Sequence, residues 1–364
     1  MTIGHQDIVF LLAAGASAEA NIPTSAKMIQ LIEEKLEDSQ SEWNKFRELY
    51  YHIKSAIYYA HGLRGYFDHN VPYNIETLVN TLYELERNEE HPIYPFIAAW
   101  NSRFVSLAGE SFKNVSEFRK LILRELKKWV SLEDPVLAEY YKGFVSLQRE
   151  LNFPLRIFSL NYDLCIERLE QLDFHIETGF EDNGPQYFWD RGRFEYSESG
   201  PPPPQIYLYK IHGSINWKRD KTTQNLYAVE QTESVEPEQM ELIFGRDFKL
   251  EAADPYLFYV YEFRRHSLTA KLIVIIGYGF ADSHINKILS QTMKENEPCR
   301  LLIVCNCNDE RETQKKKIQI CEKLQINKDD DRIIVKKGTA KEFLTDLNLK
   351  ETLEAAIPYR ELPF

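Results

Sequence analysis

Apolar and polar positions alternate along this chain in two textures. Ile8–Leu12 is a short apolar run with no charge inside it, the pattern of a strand covered on both faces, as in a parallel sheet. From Ala26 to about Leu151 apolar residues recur at helical spacing with many aromatics among them, in "MIQLIEEKLE", "WNKFRELYYHIKSAIYYA", "IETLVNTLYELE", "FIAAWNSRFVSLA", "FRKLILRELKKWV" and "VLAEYYKGFVSLQREL". Short apolar runs return beyond Pro154, in "LRIFSL", "QIYLYKI", "KLIVIIG", "LLIVCNC" and "RIIVKKG", several of them followed by helical pattern. Strands alternating with helices predict an α/β fold built on a doubly wound parallel sheet. One strand precedes the helical stretch and the others follow it. The stretch therefore reads as a large all-helical insertion at 26–151, with 1–25 and 152–364 forming the α/β domain.

Composition narrows the classes. Hydrophobic residues make up 43% of the 364, enough for a sizeable core. The longest apolar runs fall far short of the ~20 residues that span a bilayer, and no basic-then-apolar signal pattern opens the chain, so the expected location is the cytoplasm, without membrane association. With 44 basic against 56 acidic residues the net charge is -12, which argues against direct nucleic-acid binding. Lys315, Lys316 and Lys317 stand in an amphipathic pattern with Ile318, Ile320, Cys321 and Leu324 and read as a solvated helix face. Five cysteines form an odd set without metal-ligand spacing, so neither a disulfide nor zinc is expected. Tyr50, Tyr51, Tyr58 and Tyr59 recur too densely for one ligand site and read as core or as a self-association surface.

The first strand runs into Ala13, Ala14, Gly15, Ala16 and Ser17, where almost no side chain is left to pack. Two readings fit: another backbone approaches closely, or exposed amides cradle a diphosphate ahead of a helix. In open parallel sheets ligands gather outside the carboxyl ends of strands, and other strand ends here also carry polar or glycine residues. Asn161 and Asp163 follow "LRIFS", His212 follows "IYLYKI", Gly277, Tyr278 and Gly279 follow "KLIVII", and Asn306 and Asp309 follow "LLIVC". Singly, each has a plain reading: Asp163 and Asn306 as helix caps, His212 as a core histidine, the glycines as a turn.

Taken together and in order, these residues resemble the sirtuin family. Ala13–Ser17 with Asn21, Ile22 and Pro23 is similar to the family's Gly-Ala-Gly-hydrophobic-Ser turn and Gly-Ile-Pro. Ser159–Asp163 is similar to its Thr-Gln-Asn-hydrophobic-Asp element, and His212-Gly213 to its catalytic His-Gly pair. Gly277–Gly279 stands for its Gly-Thr-Ser loop, Asn306 for the Asn that holds the adenosine ribose, and Gly338, Thr339 and Ala340 for the loop that meets adenine. The resemblance covers the first ~25 residues and most of the chain from Leu155 on. It departs in two places. No cysteine stands between Cys165 and Cys299, where the deacylating members carry four zinc ligands, and Thr24-Ser25-Ala26 replaces the family's Asp-Phe-Arg. "GYGFADSHIN" looks like the version in bacterial sirtuin-like NADases of anti-phage defence.

That resemblance implies a sirtuin-like Rossmann variant and an NAD+ hydrolase for which NAD is the substrate. Nicotinamide leaves as a neutral molecule, so no general acid is needed. The site must hold the dinucleotide, stabilise an oxocarbenium-like ribose and place water beneath the anomeric carbon. Asn161 is the expected water-positioning group, His212 the base, and Asp163 the group orienting the ribose or the nicotinamide amide. Ala14, Gly15 and Ser17 are expected on the diphosphate, and Gly277, Tyr278, Gly279, Asn306 and Asp309 on the adenosine side; His284 is assigned to a helix surface. His212 and Asn161 are expected to face each other across one cleft. A protein deacylase, a nucleotide sensor without turnover and a redox enzyme are the alternatives. The resemblance further implies abortive infection as the setting, homo-oligomerisation, and a separate regulator such as a HerA-type ATPase or translocase.

Overall fold

The computed structural model describes residues 7–67, 73–86, 101–172, 174–182, 187–195, 202–220, 222–242 and 254–348. The apolar runs form the strands of one sheet: β1 Ile8–Leu12, β2 Leu155–Ser159, β6 Ile206–Lys210, β9 Leu272–Ile276, β10 Arg300–Cys305 and β11 Ile333–Lys337, with the short β3 Ile176–Glu177 at one edge. The order is β11-β10-β9-β1-β2-β6-β3, and every pairing is parallel. The chain lays β2, β6 and β3 on one side of β1, then returns to lay β9, β10 and β11 on the other. This reversal puts the switch point between β1 and β9.

Two compact units divide the chain. One comprises Met1–Ile22, Ser131–Val235 and Leu250–Phe364, the other Pro23–Val130 and Glu236–Lys249. The second is helical: α1 Ser25–Glu37, α2 Arg47–Gly62, α3 Ile75–Glu86, α4 Ser102–Ala108 and α5 Lys113–Val130. Its core is aromatic, with the Phe118 ring 6.1 Å from Trp43, 5.1 Å from Phe46 and 6.3 Å from Tyr50. Of the dense tyrosines, Tyr50 is buried and Tyr59 exposed. The residues 96–100 of the fourth expected helix lie outside the described residues.

Residues 131–151, whose periodicity groups them with the helical stretch, cluster instead with the sheet. They form a 3-10 helix, Pro135–Lys142, and α6 Gly143–Leu151. The reason is packing: Phe144 of α6 meets Phe10 of β1 edge-on at 5.1 Å. Register pairs Phe10 with Ile157 and Leu11 with Phe158, so Phe10 and Phe158 point to opposite faces. Phe263, of α7 Tyr256–Ser267, lies 5.0 Å from Phe158 and covers the second face. Helices on both faces make the sheet doubly wound, as expected. Further α-helices among the described residues are α8 Ser283–Glu295, α9 Glu310–Leu324 and α10 Ala340–Thr345. Lys315, Lys316 and Lys317 lie on α9, whose buried residues are Ile320, Cys321 and Leu324.

Between β3 and α7 a second, antiparallel sheet stands in the order β4-β5-β8-β7 (Phe180–Asp182, Tyr187–Trp189, Leu226–Ala228, Trp217–Arg219). Rings hold it: Phe180 packs 5.0 Å from Trp217, and Trp189 donates its indole N–H to Tyr259 Oη at 3.0 Å. Among the described residues no helix is long and apolar enough to cross a membrane.

Candidate functional site

The carboxyl ends of β9, β1, β2 and β6 stand side by side, and each opens into one of the polar or small-residue segments. The turn after β1 settles the question raised by its small residues. Gly15 N–H donates to the Gly277 carbonyl at 3.0 Å and Ala16 N–H to the Ala13 carbonyl at 2.7 Å, so neither amide is bare. A Cβ on Gly15 would lie 2.7 Å from Gly277 Cα, and one on Gly277 would lie 2.1 Å from the Ala16 nitrogen. Gly277 also sits at φ +70, a conformation costly for other residues. Two backbones touch here, which accounts for both glycines. Ala14 to Ala20 then forms a short 3-10 helix rather than a full α-helix.

Ser17 is fully buried and its hydroxyl is spent within the protein. It donates to Asp163 Oδ2 at 2.8 Å and accepts from Asn161 Nδ2 at 3.1 Å. Tyr141 Oη lies 2.9 Å away and donates to the Ala16 carbonyl at 3.0 Å. Burial pushes the Tyr141 phenol well above its ordinary value, which keeps its proton in place. Tyr140 Oη bonds the neighbouring Ala16 carbonyl at 2.7 Å. Asp163 uses its other oxygen to accept from Cys165 N–H at 3.1 Å, the local bond expected of a capping aspartate, although a turn and then a 3-10 helix follow. The Ser17 contact fixes the orientation of the Asn161 carboxamide, with Nδ2 toward Ser17 and Oδ1 away from it.

His212 belongs to a second network. Its Nε2 is 3.1 Å from Oδ2 of Asp282, whose Oδ1 caps α8 by accepting from His284 N–H at 2.8 Å and Ile285 N–H at 3.2 Å. A carboxylate only accepts, so Nε2 carries the proton and Nδ1 is the basic nitrogen. Burial would raise the Asp282 carboxyl, but His212 and the two backbone N–H groups outweigh it and hold it down to about 2. Tyr278 supports this loop from below: it is buried, and its hydroxyl donates to the Asp282 carbonyl at 3.0 Å and lies 2.9 Å from Asn286 Oδ1. The His212 ring lies 6.4 Å from that of Tyr162.

Register aligns Ser159 of β2 with Lys210 of β6, so Asn161 and His212 each follow two residues beyond a paired position on adjacent strands. They share one end of the sheet, yet their hydrogen bonds run to different partners, Ser17 and Asp282. The other expected ligand residues lie outside both networks. Gly279 has open space where a Cβ would stand, and its carbonyl accepts from Lys323 Nζ at 3.0 Å. Asn306 is exposed beyond β10; Asp309 caps α9, and Thr339 caps α10. His284 is half-buried in the first turn of α8. Among the described residues no three or more His, Cys, Asp or Glu side chains gather in a way that could hold a metal ion.

Residues 155–326 match the family model of the SIR2-like domain. This match supports a sirtuin-like family, and it spans Asn161, Asp163, His212, Gly277, Asp282 and Asn306. No curated protein matches the chain. Similar solved structures include a triple mutant of a Sir2 homologue with 2'-O-acetyl ADP-ribose (12% identity, TM-score 0.44, covering 96% of this chain and 92% of that one). A Sir2 homologue in complex with NAD is another (13% identity, TM-score 0.41, 93% and 87% covered). The motifs of the sirtuin-like pattern do not point to Tyr140, Tyr141 or Asp282. Asp282 stands inside "GYGFADSHIN", where an aspartate ahead of a helix signals only a cap; the two tyrosines sit in helical periodicity that hides their reach to Ala16 and Ser17.

Proposed function

We propose that this chain is an NAD+ glycohydrolase. The SIR2-like match and the sirtuin-like motifs support NAD as substrate; the observation that carries the reaction class is the pairing of His212 with Asp282 at the same end of the sheet as the oriented carboxamide of Asn161. In the reaction the bond between the anomeric carbon and the nicotinamide nitrogen breaks, and its electron pair leaves with neutral nicotinamide. Water oxygen bonds the anomeric carbon, and its proton passes to the base. The sum is NAD+ plus water giving ADP-ribose, nicotinamide and a proton.

Asn161 Oδ1 accepts from the attacking water and aims its lone pair. His212 takes a proton through Nδ1, from that water or from a ribose hydroxyl, and Asp282 stabilises the imidazolium that forms. Asp163 orients the ribose or the nicotinamide amide. The loop at Gly279, together with Asn306 and Asp309, receives the adenosine side. Ser17 shapes the floor of the diphosphate site by holding Asn161 and Asp163, and Gly15 by letting the turn after β1 close on Gly277, rather than by offering bare groups of their own. We further assign the activity to anti-phage defence by NAD depletion in the cytoplasm, with self-association and a separate HerA-type regulator, and without a zinc ribbon, since no cysteine stands between Cys165 and Cys299.

Incubating purified protein with NAD and resolving the products tests the reading. Free nicotinamide and ADP-ribose should accumulate, and His212→Ala or Asn161→Ala should abolish their release while circular dichroism stays unchanged. Nicotinamide released only when an acylated peptide is added would make the protein a deacylase, and NAD bound but left intact would make it a sensor.

A further inference from the structure

Lys210 is the one lysine among the described residues that is buried, at 2% exposure, in a strand whose other residues are Ile206, Tyr207, Leu208 and Tyr209. Burying an ammonium there costs more than an apolar side chain would, unless its protons are well used. They are used on the candidate site. Nζ donates to the Asp163 carbonyl, to Glu167 Oε1 at 2.9 Å and, more weakly, to the Tyr162 carbonyl at 3.5 Å. The Tyr162 carbonyl also accepts from Ile215 N–H at 3.2 Å and Ser214 Oγ at 3.4 Å, which belong to the turn that carries His212. Gly213, at φ +88, closes that turn by donating its N–H back to the Lys210 carbonyl at 3.1 Å. The backbone of residues 162–163 is thus pinned by one ammonium from the strand that leads into the His212 turn, while the Asn161 and Asp163 side chains face Ser17.

We propose that Lys210 is a positioning residue: its ammonium, held by Glu167, fixes the carbonyls of Tyr162 and Asp163 and so sets the loop bearing Asn161 and Asp163 in register with the turn bearing His212. This rests on the glycohydrolase reading. Lys210 touches no substrate atom and acts through the loop, where a displacement of about 1 Å costs on the order of 10²-fold in rate.

The test separates positioning from charge balance. Lys210→Met leaves the Glu167 carboxylate without its cation and lowers the thermal midpoint; Lys210→Met/Glu167→Gln removes both charges and restores the midpoint. If Lys210 positions the loop, the double variant has wild-type stability but a kcat lower by about 10²-fold with KM little changed, and its crystal structure has lost the Asn161 Nδ2 to Ser17 Oγ bond. Glu167→Gln alone, which keeps the ammonium on both carbonyls, retains most of the kcat. Full activity in the double variant, or a loss in Glu167→Gln as large as in Lys210→Met, overturns the proposal. Should wild-type protein never turn over NAD, the glycohydrolase reading falls while the double variant's coordinates still decide: a displaced loop supports the positioning role, and an unmoved one ends it.

Discussion

Asp282 does two jobs with one carboxylate: Oδ1 caps α8 and Oδ2 faces His212. Substitution can separate them. Asparagine is as good an N-cap as aspartate, whereas alanine forfeits about 1 kcal/mol. Asp282→Asn should therefore keep the cap of α8 and lose only the stability that the carboxylate's charge draws from His212 and the two N–H groups. It replaces an obligate acceptor with a group that no longer fixes the His212 tautomer or stabilises its cation, so kcat/KM for NAD should fall by about 10²- to 10⁴-fold. Nicotinamide release measured beside a melting curve checks both halves; unchanged turnover would remove Asp282 from the chemistry. The sequence could not pair these residues, because 70 positions separate them and spacing carries no information about which side chains meet across a sheet end.

The loop after β9 shows what a single element demands of two glycines. Gly277 sits at φ +70 with Ala16 and Gly15 backbone where its Cβ would go; Gly279 has nothing within 4 Å. Gly277→Ala should destabilise by at least about 2 kcal/mol, from backbone strain and forced separation of the β1 and β9 ends. Gly279→Ala should change stability by less than about 0.5 kcal/mol. Equal midpoints for the two variants would contradict this packing. The six longer strands were legible because each carries a short apolar run, all five residues of it buried in β1 and β9, and their polar ends marked one end of the sheet. The antiparallel sheet was not, since its three-residue strands are too short for alternation to register and depend on rings such as Trp189 and Phe180 meeting partners distant in sequence. Residues 135–151 misled for the opposite reason: their helical period is real, but it records that a helix forms and not which unit it packs against.

For the molecule as a whole, folding and proton binding are linked through groups whose folded environments shift their proton affinity. His266 is buried behind β2 and β6, and its Nε2 lies 3.1 Å from both Arg156 Nε and Arg265 Nη2 and 3.3 Å from Glu262 Oε2. Burial, joined by the charges of Arg156 and Arg265, outweighs Glu262 and holds His266 below its ordinary 6.5. The unfolded chain takes up the ring's proton near 6.5 while the folded one does not, so the unfolded state binds more protons and stability declines as pH falls below about 6.5. Glu262 adds to the decline lower down. Burial raises its carboxyl, but His266 and Arg265 together draw it from 4.5 to about 2, and Asp282 is drawn from 3.8 to about 2. Each contributes stability that is whole above its unfolded value and is lost as pH falls toward 2. His266, Glu262 and Asp282 should lower denaturant midpoints as pH falls from 7.5 to 3, against the opposite pull of Glu170, whose carboxyl burial and the nearby Glu167 charge raise from 4.5 to about 7. His266→Gln keeps an acceptor for Arg156 without a titrating nitrogen, so the difference between it and wild type should appear as pH falls below about 6.5 and level off once the folded His266 takes up its proton. Parallel curves across that window would show that His266 folds with its proton, and that the two guanidiniums do not face a neutral ring.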